Sequence, residues 1–348
     1  MTLRLDRGIV AALAAALLFG AGTPFAKLLL ARTDPWLLAA LLYLGSGTGL
    51  WLVRRLRRAE AVRPTRGEWG WLAGATLAGG VVGPVLLMFG LASMPATGAA
   101  LLLNAEGVFT ALLAWFVFKE NFDRRIASGM LAIVAGAVVL SWPGDASLRA
   151  NLGALAVLGA CFAWAVDNNL TRKVSLSDAS FIAMFKGLAA GSTNLLLAWK
   201  LGSAWPAVST LAAAAALGFL SYGASLVLFV VALRQLGTAR TGAYFSVAPF
   251  FGALLGVLMV HEPVTPALLV AGALMAVGVW LHLTEQHGHL HEHEPVEHTH
   301  EHVHDAHHRH THPAGTPPGV SHTHVHVHVP VTHSHAHYPD AHHRHEHG

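Results

Sequence analysis

Ten stretches of this chain are each long and apolar enough to cross a bilayer, and no other feature limits its fold so tightly. A helix needs about 20 apolar residues to span the hydrocarbon. Such stretches run at roughly 8–30, 35–53, 69–91, 95–118, 124–142, 151–171, 178–199, 209–233, 239–260 and 265–283. The joints are short and carry breakers or caps, as in "TDPW", "SMPAT", "SWPGDAS" and "HEPVTP". Only 12% of the residues are charged, about half the share of a soluble domain. The first stretch is too long for a signal-peptide core and reads as a first membrane helix. Cys161 is the sole cysteine, so no intramolecular disulfide is available. An all-α integral membrane protein with ten transmembrane helices is expected.

Basic residues divide unevenly between the two sides that ten spans define. With both termini on one face, that face takes Arg4, Arg7, Arg54, Arg55, Arg57, Arg58, Arg63, Arg66, Lys119, Arg124, Arg125, Arg172, Lys173, Arg234 and Arg240. The other face takes Arg32, Arg149 and Lys200. Lys and Arg gather in cytoplasmic loops. Both termini are therefore expected in the cytoplasm and the spans in the inner, plasma membrane. The net charge of +3 is a topology signal and predicts no nucleic-acid partner.

The two halves resemble each other. Glu262 lies 142 positions after Glu120, and at that offset residues 233–262 overlay 91–120 without a gap. Phe109, Ala111, Leu112 and Leu113 then meet Phe251, Ala253, Leu254 and Leu255, and further on Gly136 meets Gly278. Five spans per copy is an odd number, so the second copy enters the membrane inverted. Inverted repeats of this kind build carriers with a midplane site. The expected divisions are a first repeat at 1–142, a second at 143–284, and a tail at 285–348.

The paired segments "LASMPATGAALLL…FVFKE" and "ALRQLGTARTGAYF…LMVHE", with "FGAGTPFAKLLL" and "AWAVDNNLTRKV" opening the two copies, resemble the EamA-type family of the drug/metabolite transporter superfamily. The resemblance covers about residues 8–284. It implies a ten-helix carrier of small organic solutes, often moving them outward. The tail lies outside the shared core of that family.

Ionisable groups inside a span cost about 3 kcal/mol each on insertion scales and are therefore informative. Glu106 sits mid-span in "LLLNAEGVF", Lys186 near the middle of "FIAMFKGLAA", and Asp167 off-centre in "WAVDNNLTRK". Asn104, Asn168, Asn169 and Asn194 accompany them. The functional reading is a polar transport cavity in which a carboxylate accepts a proton or an ammonium and the lysine meets a carboxylate. The plainer reading is an ion pair that locks helices together; for Asp167, Thr171 four residues on is a local partner. Lys27 reads as a snorkelling side chain, and Glu120 and Glu262 read as hydrogen-bond partners at helix ends. Pro24, Pro84 and Pro249 are expected to interrupt their spans; Pro24, flanked by Gly20, Gly22 and Thr23, is counted with the cavity.

All but two of the 25 histidines lie after Glu285. They recur as His-x-His, and "DAHHRHTH" is nearly repeated as "DAHHRHEH". Imidazole suits zinc, copper and nickel, and alternate residues of an extended strip share a face. The candidate ligands are His291, His293, His298, His300, His302 and His304; His307, His308, His310 and His312; His322, His324, His326 and His328; His333, His335 and His337; and His342, His343, His345 and His347. A disordered strip binding divalent zinc, nickel, cobalt or copper is expected.

No nucleotide loop and no spaced catalytic set is present, so neither an enzyme nor an ATP-driven pump is expected. The favoured reading is a secondary carrier of small solutes that works by alternating access, with export of metabolites or amino-acid-like compounds preferred and no cofactor needed for transport. Its two halves rock about the cavity while the tail binds metal ions. A carrier of divalent metal fed by the tail is the alternative, disfavoured because Lys186 repels cations. A membrane-anchored metal store or sensor is a third reading. Partners are the solute, metal ions and the lipid bilayer, with a homodimer left open.

Overall fold

The computed structural model describes residues 7–59, 61–62, 64–118, 124–141, 148–174, 178–236, 241, 244–283, 287–292, 297–302, 322–327 and 332–337. The chain divides into two units, Met1–Glu285 and Gln286–Gly348. Among its described residues the first unit is all helical. Its α-helices are α1 (Arg7–Leu30), α2 (Pro35–Leu56), α3 (Arg66–Ala75), α4 (Gly83–Ser93), α5 (Ala96–Leu102), α6 (Ala105–Phe118) and α7 (Arg124–Ser141). They continue with α8 (Leu148–Thr171), α9 (Ala179–Lys200), α10 (Val208–Gly218), α11 (Ser225–Leu236), α12 (Ala248–Val260) and α13 (Pro266–Leu283).

Local chemistry sets the helix ends. Asp34 caps α2 by accepting from Leu37 N at 3.0 Å, with Pro35 in the first turn, and Arg54 and Arg55 occupy the last turn. Thr65 and Glu68 form a capping box at the start of α3. Two helical runs pass through π-helical turns: α3 enters α4 through Thr76–Val82, and α10 enters α11 through Phe219–Ala224. A π-turn shifts the backbone hydrogen-bond ladder and is frequent at functional sites.

Seven helical runs in the described residues have the length and apolarity to cross a membrane, and three shorter apolar helices, Ala127–Ser141, Ala248–Val260 and Pro266–Leu281, accompany them. Two features differ from the sequence expectation. The stretch 95–118 is a broken helix, interrupted between Leu102 and Ala105. Pro24 does not interrupt α1, which stays helical from Arg7 to Leu30, as membrane helices tolerate where neighbours compensate. Pro84 and Pro249 do fall at breaks in their expected spans: Pro84 lies in the first turn of α4, just past the π-turn Thr76–Val82, and Pro249 lies in the first turn of α12, which begins only at Ala248.

The packing is that of a body surrounded by lipid. Alanine, leucine and methionine fill the interior, and further large apolar side chains face outward: Leu131, Leu155 and Leu269 are each more than 60% exposed. Helix α2 packs on α9 and α10, α4 on α8, α1 on α11 and α12, α5 on α12, and α7 on α13. Glycines set the closest crossings. A Cβ on Gly45 would lie 2.2 Å from the Ala215 carbonyl oxygen, and one on Gly218 2.0 Å from that of Leu42. Without a hydrophobic drive between helices in lipid, such close approach supplies the van der Waals attraction.

In the second unit the described residues form four strands, which corrects the expectation of a structureless tail. Strand β1 (His287–Glu292) pairs antiparallel with β4 (Thr332–His337), and β2 (Glu297–His302) with β3 (His322–Val327). Alternation of histidine with Thr and Val suits a period of two, and β-branched residues favour strands.

Candidate functional site

The site is organised by breaks in three helical runs. Between α5 and α6 the backbone turns through tight bonds, Leu103 N to Ala100 O at 3.2 Å and Asn104 N to Leu101 O at 3.1 Å. The Asn104 side chain supplies a second donor to Leu101 O at 3.0 Å, and lies 3.9 Å from Met275 Sδ. The break puts Glu106 in the first turn of α6, where the positive end of the helix dipole favours a carboxylate. Asn168 Nδ2 on α8 donates to Glu106 Oε1 at 2.8 Å and approaches Thr110 Oγ1 at 3.4 Å.

The π-turn at Thr76–Val82 organises the opposite wall. Gly79 O accepts from Tyr43 Oη and from Trp164 Nε1, both at 2.8 Å. Gly80 O accepts from Asn194 Nδ2 at 3.1 Å. Against this turn sits the charged pair. Lys186 Nζ on α9 lies 2.5 Å from each oxygen of Asp167 on α8, and Thr171 Oγ1 donates to Asp167 Oδ1 at 2.8 Å. Both side chains are largely buried, Asp167 more than Lys186. A Cβ on Gly79 would fall 1.9 Å from Asp167 Oδ2, so only glycine lets the pair seat here.

A cavity of about 300 Å³ opens between these walls. Its polar lining includes Glu106, Asn168, Lys186, Ser221 and Ser225. The rest is mainly aromatic: Phe19, Tyr43, Trp164, Tyr222, Phe229 and Phe245. Of the residues singled out in the sequence, Glu106, Asn168 and Lys186 therefore line one cavity. Asp167 stands behind Lys186 as its partner. Asn169 is buried, donating to Ala165 O at 2.9 Å and Thr110 O at 3.3 Å. Asn104 and Asn194 are buried at the helix breaks, and Pro24 is buried in α1. The aromatic lining and the two π-turns were not singled out. The glycine pair in "LAGGVVGP" is the signal that marks the first turn.

Glu262 is at a helix end as expected, while Lys27, expected to snorkel outward, instead turns onto helix-end carbonyls. Lys27 Nζ donates to Leu91 O and, at 3.0 Å, to Met94 O, closing the C-terminus of α4. Glu262 accepts from Ala96 N at 2.6 Å and Thr97 N at 2.8 Å, capping α5. Together they clasp the joint between α4 and α5. At the other end of the bundle, Asp178 caps α9, accepting from Ser180 N at 2.7 Å and Phe181 N at 3.1 Å, and pairs with Arg54 at 2.9 Å. Glu120 lies outside the described residues.

No group of three or more metal-ligating side chains capable of holding an ion occurs among the described residues. In the tail, the strand register sets His289 opposite His335 and His291 opposite His333. It also sets His298 opposite His326, His300 opposite His324, and His302 opposite His322. His337 is opposite His287. His293, His304, His307, His308, His310, His312, His328, His342, His343, His345 and His347 lie outside the described residues.

Known proteins agree with this body plan. A solved crystal structure superposes with a TM-score of 0.61 at 20% identity, covering 79% of this chain and 95% of its own. An uncharacterised transporter of Methanothermobacter thermautotrophicus is 28% identical over 292 residues, 79% of this chain and 85% of its own length. A probable terminal-alkyne amino-acid exporter of Streptantibioticus cattleyicolor is 28% identical over 200 residues, 57% of this chain and 67% of its own. The sequence model of the EamA-like transporter family matches twice, at residues 6–142 and 151–284. With both halves of its helical body matched, the chain belongs to the EamA-like transporter family.

Proposed function

We propose that this multi-pass transporter is a secondary carrier of small organic solutes that works by alternating access. The observation that carries the reading is the cavity inside the helical body, lined by Glu106, Asn168 and Lys186. Ionisable groups kept at that depth are costly unless they serve a pathway or pair with one another. The cavity draws on the middle of α1 and α2 through Phe19 and Tyr43, on the C-terminal half of α8 and on the N-terminal half of α9. At one end of the bundle, Lys27 and Glu262 hold the α4–α5 joint closed. A cavity within the body, with the helix joint at one end clasped, suits one of the two states an alternating carrier visits. Export is the favoured direction, in keeping with the name of the Streptantibioticus relative.

The same reading holds ten spans in two inverted repeats. The double match of the family model supports it. So does the crossing of α7 and α13. A Cβ on Gly136 meets Ala271 and Met275, and one on Gly278 meets Gly129 and Ile133; the two sets are related by the same offset of 142 positions. Shifted by that offset, Thr76–Val82 lands on 218–224, against a second π-turn at Phe219–Ala224. The distribution of Lys and Arg supports cytoplasmic termini in an inner membrane. The tail is read as a binder of divalent metal and the assembly as open to a homodimer. The lining supplies a single carboxylate, Glu106, and no imidazole or thiol, which argues against a divalent metal as cargo. If a proton drives the cycle, Glu106 is the carboxylate to carry it, since Asp167 is held by Lys186.

Solute flux in proteoliposomes tests the reading. Glu106→Gln and Lys186→Ala are each expected to lower flux at least tenfold, about 1.4 kcal/mol, with unchanged elution of the purified protein. Wild-type flux in both variants would remove the cavity assignment.

A further inference from the structure

We propose that the cavity selects small organic monocations, amines carrying an apolar or aromatic body, over zwitterionic amino acids. This rests on the carrier reading above and names its substrate class.

The argument begins with charge. Lys186 meets both oxygens of Asp167 at 2.5 Å, and Thr171 holds the same carboxylate. That pair presents no net charge to a ligand. Glu106 is different. It accepts from the neutral Asn168 amide at 2.8 Å, and among the described residues no Lys, Arg or His forms an ion pair with it. The cavity therefore offers one carboxylate that has no ion-pair partner among the described residues. A buried charge in that position is costly until a cation or a proton joins it.

The aromatic lining acts in the same direction. Five rings touch in series. Tyr43 and Tyr222 have centroids 5.6 Å apart, Tyr222 and Phe19 5.9 Å, Phe19 and Phe245 5.5 Å, and Phe245 and Phe229 4.9 Å. Trp164 is fixed beside them by its bond to Gly79 O. Ring faces attract ammonium groups and give apolar contact to the rest of a ligand. The hydroxyl of Tyr43 is spent on Gly79 O, so Tyr43 offers its ring and not its proton. At about 300 Å³ the space is at the small end of ligand cavities.

A zwitterion fits this charge pattern poorly. Its ammonium would match Glu106, but its carboxylate would need a cation, and Lys186 is engaged. The hydroxyls of Ser221 and Ser225 can donate hydrogen bonds but bring no positive charge. Binding the zwitterion thus requires breaking the Asp167–Lys186 pair, and binding the amine does not.

Three probes with one ring body separate the cases: phenethylamine, phenylalanine and 3-phenylpropionate, positive, zwitterionic and negative at neutral pH. Equilibrium dialysis of each against the purified full chain is expected to give phenethylamine at least about tenfold tighter than phenylalanine, the scale of one charge-assisted hydrogen bond, and no binding of 3-phenylpropionate. Glu106→Gln should remove that preference, and Glu106→Asp should restore part of it. Phe229→Leu keeps bulk but removes a ring face; it should weaken phenethylamine by about threefold, the scale of an exposed cation–π contact. Phenylalanine binding as tightly as phenethylamine, no amine binding by the wild type, or full amine affinity in folded Glu106→Gln would each overturn the assignment. Flux of any other organic solute through the same preparation would leave the carrier reading standing. Absence of all flux would remove that reading too.

Discussion

Gly79 shows how much one side chain decides here. Its carbonyl takes two hydrogen bonds, from Tyr43 and Trp164, while its missing Cβ leaves room for Asp167. Overpacking a filled site costs about 1–3 kcal/mol, and parting a buried ion pair costs about 3–5 kcal/mol. Gly79→Ala is therefore expected to destabilise the body by at least about 2 kcal/mol, read as a fall in melting temperature in detergent. Gly70→Ala is the control: nothing lies within 4 Å of an added Cβ there, and alanine favours a helix by about 1 kcal/mol over glycine. Equal melting of the two variants would contradict the tight seat of Asp167. Glu106, Lys186 and Asn168 were legible in the sequence because charge and amide in an apolar run stand out against their neighbours. The aromatic wall was not, because aromatic residues are ordinary in membrane spans and only the fold gathers six of them around one space.

At the scale of elements, helix ends hold the chemistry. Lys27 meets the C-terminal carbonyls of α4 and Glu262 the N-terminal amides of α5, each charge placed as the helix dipole prefers. Asp178 does the same for α9. Burial by itself would push its carboxyl up. The Ser180 hydrogen bond, then Arg54 and the Phe181 amide, outweigh burial and hold it below the ordinary aspartate range. A carboxyl lowered in the folded state contributes stability above its unfolded value of about 3.9 and loses it as pH falls through the folded value. Melting of the wild type should therefore fall between about pH 5 and 3 more steeply than that of Asp178→Asn, which keeps a capping side chain but does not titrate. The difference is small, since Asp178 is 42% exposed and exposed pairs are weak. Parallel pH profiles would show that the cap is silent. The π-turns were beyond sequence reasoning: a π-turn and an α-turn have the same apolar composition and differ only in which carbonyl each amide meets.

The whole molecule joins a membrane body to a histidine-rich tail, and the two are distinct compact units. A chain ending at residue 284 is expected to insert and melt as the full chain does, while losing tight zinc and nickel binding in calorimetric titration. In the full chain that binding should weaken as pH falls below about 6.5, where imidazole takes a proton instead of a metal. Metal affinity unchanged by the deletion would move the metal site into the body.

What the sequence determined alone is a solvent preference. Long apolar runs belong in lipid, short polar joints lie between them, and a few charges within the runs need a reason to be there. The repeat offset and the paired motifs pointed to the family for the same reason: a chain in lipid has few ways to hide backbone polar groups, and its apolar pattern records the one it takes. Only the tertiary structure decided which charges cancel. Asp167 and Lys186 lie on different helices, and their pairing depends on a crossing that Gly79 permits. That crossing leaves Glu106 with an amide for company and a ring of aromatics opposite, an arrangement set by distances across helices that no linear pattern encodes.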